Sequence, residues 1–291
     1  MTSAAHARRQ LAFPLLFVLL WSTGFIAAKY GLPYAPPFHF LLLRFACVAT
    51  LMTVVAVVLR APWPRSPRQI GHVAIAALLV HGGYLGGVFI AIANGMAAGT
   101  SAMLVGLQPI LTVVIARMWL GERVVPRQWA GLVLGLVGVY FVVRHKIDFG
   151  GDARGLAPIA VALVAISIGT LYQKRHCGDV DLRSGAALQF AACALVYLPL
   201  ALLLESEPVR WTPQFVFALG WSVVVLSVGA ISLLYWLLRH AAAADVARLF
   251  YLVPPVTAAM AYLFFGERLD ALALAGMVAI AIGVAMARLR R

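Results

Sequence analysis

Charged residues are scarce in this sequence of 291 residues. Asp, Glu, Lys and Arg make up 11% of it, while hydrophobic residues make up 63%. Soluble domains carry about a quarter charged residues, because groups that water solvates must cover their surface. The scarcity therefore excludes an ordinary soluble domain. A chain this apolar indicates a protein whose outer surface lies in lipid.

Acidic residues are scarcer than basic ones. The sequence has ten Asp and Glu against 23 Lys and Arg, which leaves a net charge of +13. Such an excess indicates nucleic-acid binding when the basic residues form long tracts with interleaved aromatics. Here they occur in short links between apolar runs, as at Arg60, Arg65 and Arg68 or at Lys174 and Arg175. Nucleic acid is therefore not expected as a partner, and membrane topology explains the charge better.

Cysteine is also rare, and its three copies exclude a disulfide framework. Cys47, Cys177 and Cys193 show no spacing typical of a metal site. We interpret them as small core residues and expect neither a metal nor a cofactor. The first apolar run, residues 11–28, is longer than the core of a signal peptide, so we interpret it as a transmembrane helix.

Long apolar runs, by contrast, follow one another along the whole chain. A helix needs about 20 residues to cross the hydrocarbon of a bilayer, and strands of alternating polarity are absent. Proline and glycine separate the runs, as at Pro62, Pro64, Gly150 and Gly151. The sequence predicts an all-α membrane protein with ten transmembrane helices. The predicted spans are 11–29, 38–59, 70–93, 97–118, 127–144, 155–173, 184–204, 214–238, 242–265 and 270–288.

The distribution of basic residues predicts the orientation of these spans. With the N-terminus in the cytoplasm, sixteen of the 23 Lys and Arg fall in inner links and ends, and six in outer links. Cytoplasmic loops carry the excess of Lys and Arg in membrane proteins. Both termini are therefore expected in the cytoplasm, with the chain in a bacterial-type inner membrane.

The two halves of the chain, 1–145 and 146–291, match at a constant offset of 145 residues. Each half then contains five predicted spans, an odd number, so the second enters the membrane in the opposite direction. Such inverted repeats are typical of secondary transporters, which bind substrate near the midplane between the halves. The matched pairs include Gly121-Glu122-Arg123 with Gly266-Glu267-Arg268, Pro109 with Pro254, Gly131 with Gly276, and Gly138 with Gly283.

Five plus five spans, with proline in the fourth and ninth followed by Gly-Glu-Arg, resemble the EamA-type members of the drug/metabolite transporter superfamily. The resemblance covers essentially the whole chain, and the chain looks most like the YddG-type exporters of aromatic amino acids. It implies a secondary transporter that exports small metabolites by alternating access without ATP. Amino acids with aromatic or large apolar side chains are the substrates that it suggests.

No predicted span has a carboxylate at its centre, where proton-coupled carriers often keep one. Coupling through Asp or Glu is therefore not supported. Facilitated export, and coupling through His39 or His81, both remain open.

Proline and Gly-Glu-Arg recur at equivalent places in the halves. Pro109 and Pro254 are expected to kink their helices near the middle and to free the carbonyls of Val105 and Phe250, and Pro255 acts in the same way. A paired gating role is favoured over a tolerated kink. In Gly-Glu-Arg the glycine is expected to cap one helix, and the glutamate (Glu122 or Glu267) to begin the next.

Polar and aromatic residues inside the spans are the candidates for substrate binding. Arg44 is a candidate to bind a carboxylate, with snorkelling to the outer interface as the alternative. His81 and Tyr84 share a helix face, and Gln189 is the repeat equivalent of Arg44. Packing is the alternative for each polar residue alone, and interfacial or packing roles for each aromatic. The full candidate set is Trp21, Arg44, His81, Tyr84, Gln108, Gln189 and Tyr251.

Two other classes of function stay open. A channel or a lipid scramblase can share such a fold, because a fold does not determine a function. An intramembrane enzyme is disfavoured, since the sequence has no Gly-x-Ser-x-Gly, no His-Glu-x-x-His and no paired carboxylates inside the spans.

The predicted orientation places Arg65 in the cytoplasm and Asp148 outside. Single cysteines at the two positions should therefore differ in intact cells, with an impermeant maleimide labelling residue 148 and sparing residue 65. The reverse pattern would mean that the whole topology is inverted.

Overall fold

The computed structural model describes residues 3–120, 125–148, 153–240, 249–250, 252–267 and 271–288. Within these ranges all regular structure is helical. The α-helices are α1 (Ser3–Gly31), α2 (Pro37–Val58), α3 (Pro67–Ala77), α4 (Tyr84–Ala93), α5 (Ala98–Val105), α6 (Gln108–Leu120), α7 (Pro126–Asp148), α8 (Leu156–His176), α9 (Leu182–Leu204), α10 (Pro213–Gly220), α11 (Ile231–His240), α12 (Val253–Phe265) and α13 (Ala271–Arg288).

Proline begins four of these helices, at Pro37, Pro67, Pro126 and Pro213. The first N–H groups of a helix have no partner within it, and the fixed φ of proline suits this position. A side chain caps the start of α9. Asp181 accepts a hydrogen bond from the N–H of Arg183, and hydrogen bonds from the Arg183 side chain, together with its charge, lower the pKa of the Asp181 carboxyl to about 2.

Seven helices in the described part of the chain are long and apolar enough to cross a membrane. They lie at Ala12–Gly31, Pro37–Val58, Pro67–Ala93, Ala98–Trp119, Leu156–His176, Leu182–Leu204 and Pro213–Leu234. These ranges overlap seven of the ten spans predicted from sequence. The other three predicted spans contain shorter apolar helices, Trp129–Phe141, Val253–Phe265 and Leu274–Gly283. The all-helical prediction is confirmed, and the count of ten stays a prediction.

The outward faces of the long helices are apolar. On α9, Leu195 is 72% exposed and Leu203 is 81% exposed, as expected for side chains that lie against lipid. Cys47 was expected in the core, but it is exposed on α2. Cys193 is buried as expected, and its thiol donates to the carbonyl of Ala77 at 3.3 Å.

Two pairs of glycines bring α7 and α13 into backbone contact. A Cβ on Gly138 would lie 2.6 Å from the carbonyl oxygen of Gly276, and a Cβ on Gly283 would lie 2.5 Å from that of Gly131. Only glycine allows an approach this close. These four glycines are also the repeat pairs matched by the offset of 145, so the contact is reciprocal between the halves.

The fourth predicted span is broken rather than kinked. α5 ends at Val105 and α6 begins at Gln108, which makes Pro109 the second residue of a new helix. Pro254 is likewise the second residue of α12. The carbonyl of Phe250 was expected to be free, but it accepts the N–H of Val253 at 3.3 Å. Both prolines therefore begin helices where the missing N–H costs little, and their gating role stays a prediction.

Two π-helical segments interrupt the third and eighth predicted spans. The first is Leu78–Gly83, between α3 and α4, and the second is Trp221–Ala230, between α10 and α11. Adding 145 to the first range gives 223–228, which falls inside the second. The π-helix is rare in proteins, and where it does occur it is often at a functional site. Its recurrence at equivalent places in the two halves therefore indicates that these two spans contribute to function.

Replacing Gly283 with alanine should destabilise the protein, because its Cβ would meet the backbone of α7. Overpacking of this kind costs roughly 1–3 kcal/mol. The matched control is Gly220→Ala, since a Cβ on Gly220 would meet nothing within 4 Å. Thermal unfolding of the purified variants in detergent should show a lower Tm for Gly283→Ala only. An unchanged Tm for Gly283→Ala would rule out the close contact of α7 with α13.

Candidate functional site

Two cavities lie side by side between the halves of the chain. The first, the Arg44 cavity, has a volume of about 140 Å³ and is also lined by His81, Leu226 and Ser227. The second, the Gln108 cavity, has a volume of about 250 Å³. Both are lined by the same five residues, so the two cavities adjoin. These shared residues are Trp21, Phe25, Val80, Tyr84 and Ile166.

Among the described residues, Arg44 is the only Lys or Arg that lines either cavity. Its side chain belongs to α2, is only 7% exposed, and donates from Nη2 to Ser227 Oγ at 3.2 Å. In the same part of the chain, its Nε has no hydrogen-bond partner, and no carboxylate forms a salt bridge with it. Burial at this depth does not fit the snorkelling alternative, which requires the charged end to reach the interface.

His81 lies in the first π-helical segment and is held by two residues of α9. Its Nε2 lies 3.2 Å from Gln189 Oε1, and its ring stacks on Phe190 with 4.5 Å between centroids. Because the amide oxygen accepts, this assignment places the ring proton on Nε2. Gln189 does not line either cavity, so its contact with the cavity is indirect, through the ring of His81 that it holds. The bond joins the two halves of the chain.

Aromatic rings form the wall where the two cavities meet. Tyr84 begins α4 and lines both. Trp21 of α1 also lines both, and its ring packs edge-on against Phe250 at 5.2 Å and beside Phe17 at 5.3 Å. A flat wall of this kind suits an apolar or aromatic ligand group, because aromatic pairs prefer offset or edge-on packing.

The remaining predicted residues lie toward the Gln108 cavity. Gln108, Pro109 and Pro254 line it, while Pro255 lines a separate cavity of about 140 Å³ beside α13. Tyr251 lies outside the described residues. The structure thus brings Trp21, Arg44, His81, Tyr84 and Gln108 to two adjoining cavities.

Sequence reasoning missed three residues of this site. Ser227 binds Arg44, Phe190 stacks on His81, and Phe250 packs on Trp21. A serine or phenylalanine in an apolar span has no distinctive pattern. The repeat offset offered one signal, because Ser227 is the equivalent of Gly82 in the glycine cluster of the third span.

Glu267 joins the two halves of the chain. Its carboxylate forms an ion pair with Lys29 at the end of α1, and accepts the N–H groups of Ala98 at 3.0 Å and Gly99 at 3.4 Å. It thus caps α5 of the other half, where the N-terminus of a helix attracts an anion. The expectation that it begins the next helix stays a prediction, because residues 268–270 lie outside the described residues.

The corner around Glu267 is otherwise as expected. Gly266 ends α12 with a φ of 65°, the left-handed conformation that glycine adopts most readily. Gly121 and Glu122 lie outside the described residues. At the same end of the molecule Glu205 caps α2, accepting from the N–H groups of Phe38 and His39 at 2.8 and 2.9 Å, and it also contacts His39 Nδ1 at 2.8 Å.

A cavity between two halves of a helical membrane protein lies where secondary transporters built from repeats bind their substrates. The model of the EamA-like transporter family matches residues 10–144 and again residues 153–289. The chain belongs to this family. The double match agrees with a fold built from two repeats, as the offset of 145 residues predicts.

Three relatives that carry transporter names align with this chain over most of their length. An uncharacterized transporter, YvbV of Bacillus subtilis, is 28% identical, with 92% of this chain and 88% of the relative covered. A probable amino-acid metabolite efflux pump of Salmonella typhimurium is 26% identical, and the alignment covers 96% of this chain and 94% of the relative. The uncharacterized inner membrane transporter YedA of Escherichia coli is 24% identical, with 89% of this chain and 84% of the relative covered. Family and relatives thus indicate a membrane transporter rather than an enzyme.

One crystal structure superposes on the EamA chain with a TM-score of 0.67 at 18% identity. It covers 95% of this chain and 96% of its own. At that identity the likeness shows the fold alone.

Proposed function

We propose that this protein is a secondary carrier that exports small metabolites across the inner membrane by alternating access. The observation that carries the proposal is the cavity between the halves, with Arg44, His81 and Tyr84 on its walls. Polar groups at this depth are costly in lipid and mark pathways for substrates. Both halves contribute to the walls, so a movement of one against the other changes access to the site.

The proposed architecture is ten transmembrane helices in two inverted repeats, 1–145 and 146–291, with both termini cytoplasmic. Three observations support it. The family model matches twice, the glycines of α7 and α13 contact each other reciprocally, and the two π-helical segments lie at equivalent positions.

The proposed orientation places the Glu267 and Glu205 contacts at the outer ends of the helices. Each carboxylate binds the N-terminus of a helix in the other half: Glu267 binds α5, and Glu205 binds α2. Contacts that join the halves on the outer side hold that side closed. We therefore propose that the described conformation faces the cytoplasm and that these contacts separate when substrate is released outside.

The proposed substrates are amino acids with aromatic or large apolar side chains. The walls combine aromatic rings with few polar groups, the usual composition of a site for an amphipathic small molecule. The substrate side chain packs on Trp21 and Tyr84, with Tyr251 as a further contact. The charged end meets Arg44, His81 and Gln108, with Gln189 holding His81. The Salmonella relative, named an amino-acid metabolite efflux pump, supports this class.

Replacing Tyr84 with alanine should weaken the transport of tryptophan more than that of threonine. Loss of one aromatic contact costs about 0.5–1.5 kcal/mol, or roughly a threefold to tenfold rise in KM. The measurement is uptake into proteoliposomes from a panel of labelled amino acids and unrelated metabolites.

Tyr262→Ala is the control, because Tyr262 is 56% exposed on the lipid-facing side of α12. It should leave KM for both amino acids unchanged. Equal weakening of tryptophan and threonine by Tyr84→Ala would contradict the aromatic subsite. Transport of nucleotides or quaternary amines but of no amino acid would contradict the substrate class while leaving the carrier intact.

A further inference from the structure

We infer that Arg44 and Ser227 together form a carboxylate-binding subsite that joins the two halves of the carrier. The inference rests on the proposed function, which it deepens by dividing the cavity into a site for the anion and a site for the side chain. Its second member, Ser227, is a positioning residue that the sequence does not reveal.

The first step is the unbalanced charge of Arg44. A guanidinium that is 93% buried loses most of its contact with water, and burying a charge is costly unless an anion pairs with it. Within the described ranges no carboxylate supplies that anion, and Nε carries an N–H without an acceptor. Because the side chain lines a cavity, a ligand can reach it.

The second step is the way in which Ser227 orients the guanidinium. Ser227 Oγ donates its hydrogen to the carbonyl of Ser222 at 3.0 Å, five residues earlier along the π-helical segment. Its lone pairs therefore face Arg44 and accept from Nη2 at 3.2 Å. This bond takes one of the five guanidinium N–H groups and fixes the plane of the others. A carboxylate can then bind two of them side by side.

The third step is the surroundings of this pair. Trp21 and Tyr84 line the same cavity as Arg44 and continue into the Gln108 cavity. A carboxylate at Arg44 therefore leaves an apolar or aromatic side chain to extend along this wall. The geometry selects molecules that carry a carboxylate near an apolar body, and Arg44 recognises the carboxylate.

Three ligands with one indole ring separate the groups that the subsite recognises. Tryptophan carries both charged groups, indole-3-propionate keeps only a carboxylate, and tryptamine keeps only an amine. Proteoliposome transport of labelled tryptophan gives KM, and competition by the other two gives their inhibition constants. The Arg44→Gln substitution should raise the KM for tryptophan and the inhibition constant of indole-3-propionate by about tenfold to a hundredfold. It should raise the inhibition constant of tryptamine less than about twofold, because tryptamine has no carboxylate.

Ser227→Ala should raise the same two constants by roughly threefold to tenfold, the effect of one lost hydrogen bond. Ser222→Ala is the matched control, because Ser222 is fully buried in the same segment and its hydroxyl has no partner. It should change none of the three constants. Arg44→Lys keeps the charge and should recover only part of the affinity, because lysine cannot bind a carboxylate through two parallel bonds.

Equal changes for all three ligands in Arg44→Gln, or equal effects of Ser227→Ala and Ser222→Ala, would overturn the subsite. Thermal unfolding of purified protein tests it separately from transport. Aromatic carboxylates should raise the Tm of the wild type but not that of Arg44→Gln. If no carboxylate raises the wild-type Tm, the subsite is wrong. If carboxylates do so while proteoliposomes carry no amino acid, the proposed function fails and the subsite stands.

Discussion

Inside a bilayer the N–H and C=O groups of the backbone must find their partners within the protein, since lipid offers none, and polar side chains face the interior of the bundle. This requirement accounts for the helical fold and for the places where the helices break. Between α5 and α6 the chain turns at Gly106, which lies against Pro254 of the other half. At the start of α5 the first N–H groups bind Glu267, which also pairs with Lys29. Breaks in the backbone and buried charges thus occur where the two halves meet.

The same requirement explains why the site is shared between the halves. Arg44 and His81 belong to the first half, and their partners Ser227 and Gln189 belong to the second. Tyr197 of the second half donates to the carbonyl of Gly82, in the first π-helical segment, at 2.7 Å. Each of these bonds joins the two halves, which the proposed mechanism moves relative to each other. A ligand that binds between them is therefore sensitive to the relative position of the halves.

Much of the fold and part of the site could be predicted from sequence. Apolar runs predicted the spans, because the length of helix that crosses a bilayer can be read from local composition. The offset matched the glycines of α7 and α13, but their contact with each other was seen only in the structure. Polar residues inside those runs pointed to Arg44 and His81, since such groups avoid lipid. The partner of Glu267 could not be predicted, because it lies in the other half and depends on how the halves pack. Ser227 was missed for the same reason.

The central claim is that the site between the halves opens to one side at a time, which counterflow tests most directly. Proteoliposomes are loaded with unlabelled tryptophan and diluted into medium that contains a trace of labelled tryptophan, with equal pH on both sides. A carrier of this kind predicts that label accumulates transiently above its outside concentration in loaded vesicles, and that empty vesicles only equilibrate. Entry at the same rate and to the same level in loaded and empty vesicles would contradict the account and indicate a channel.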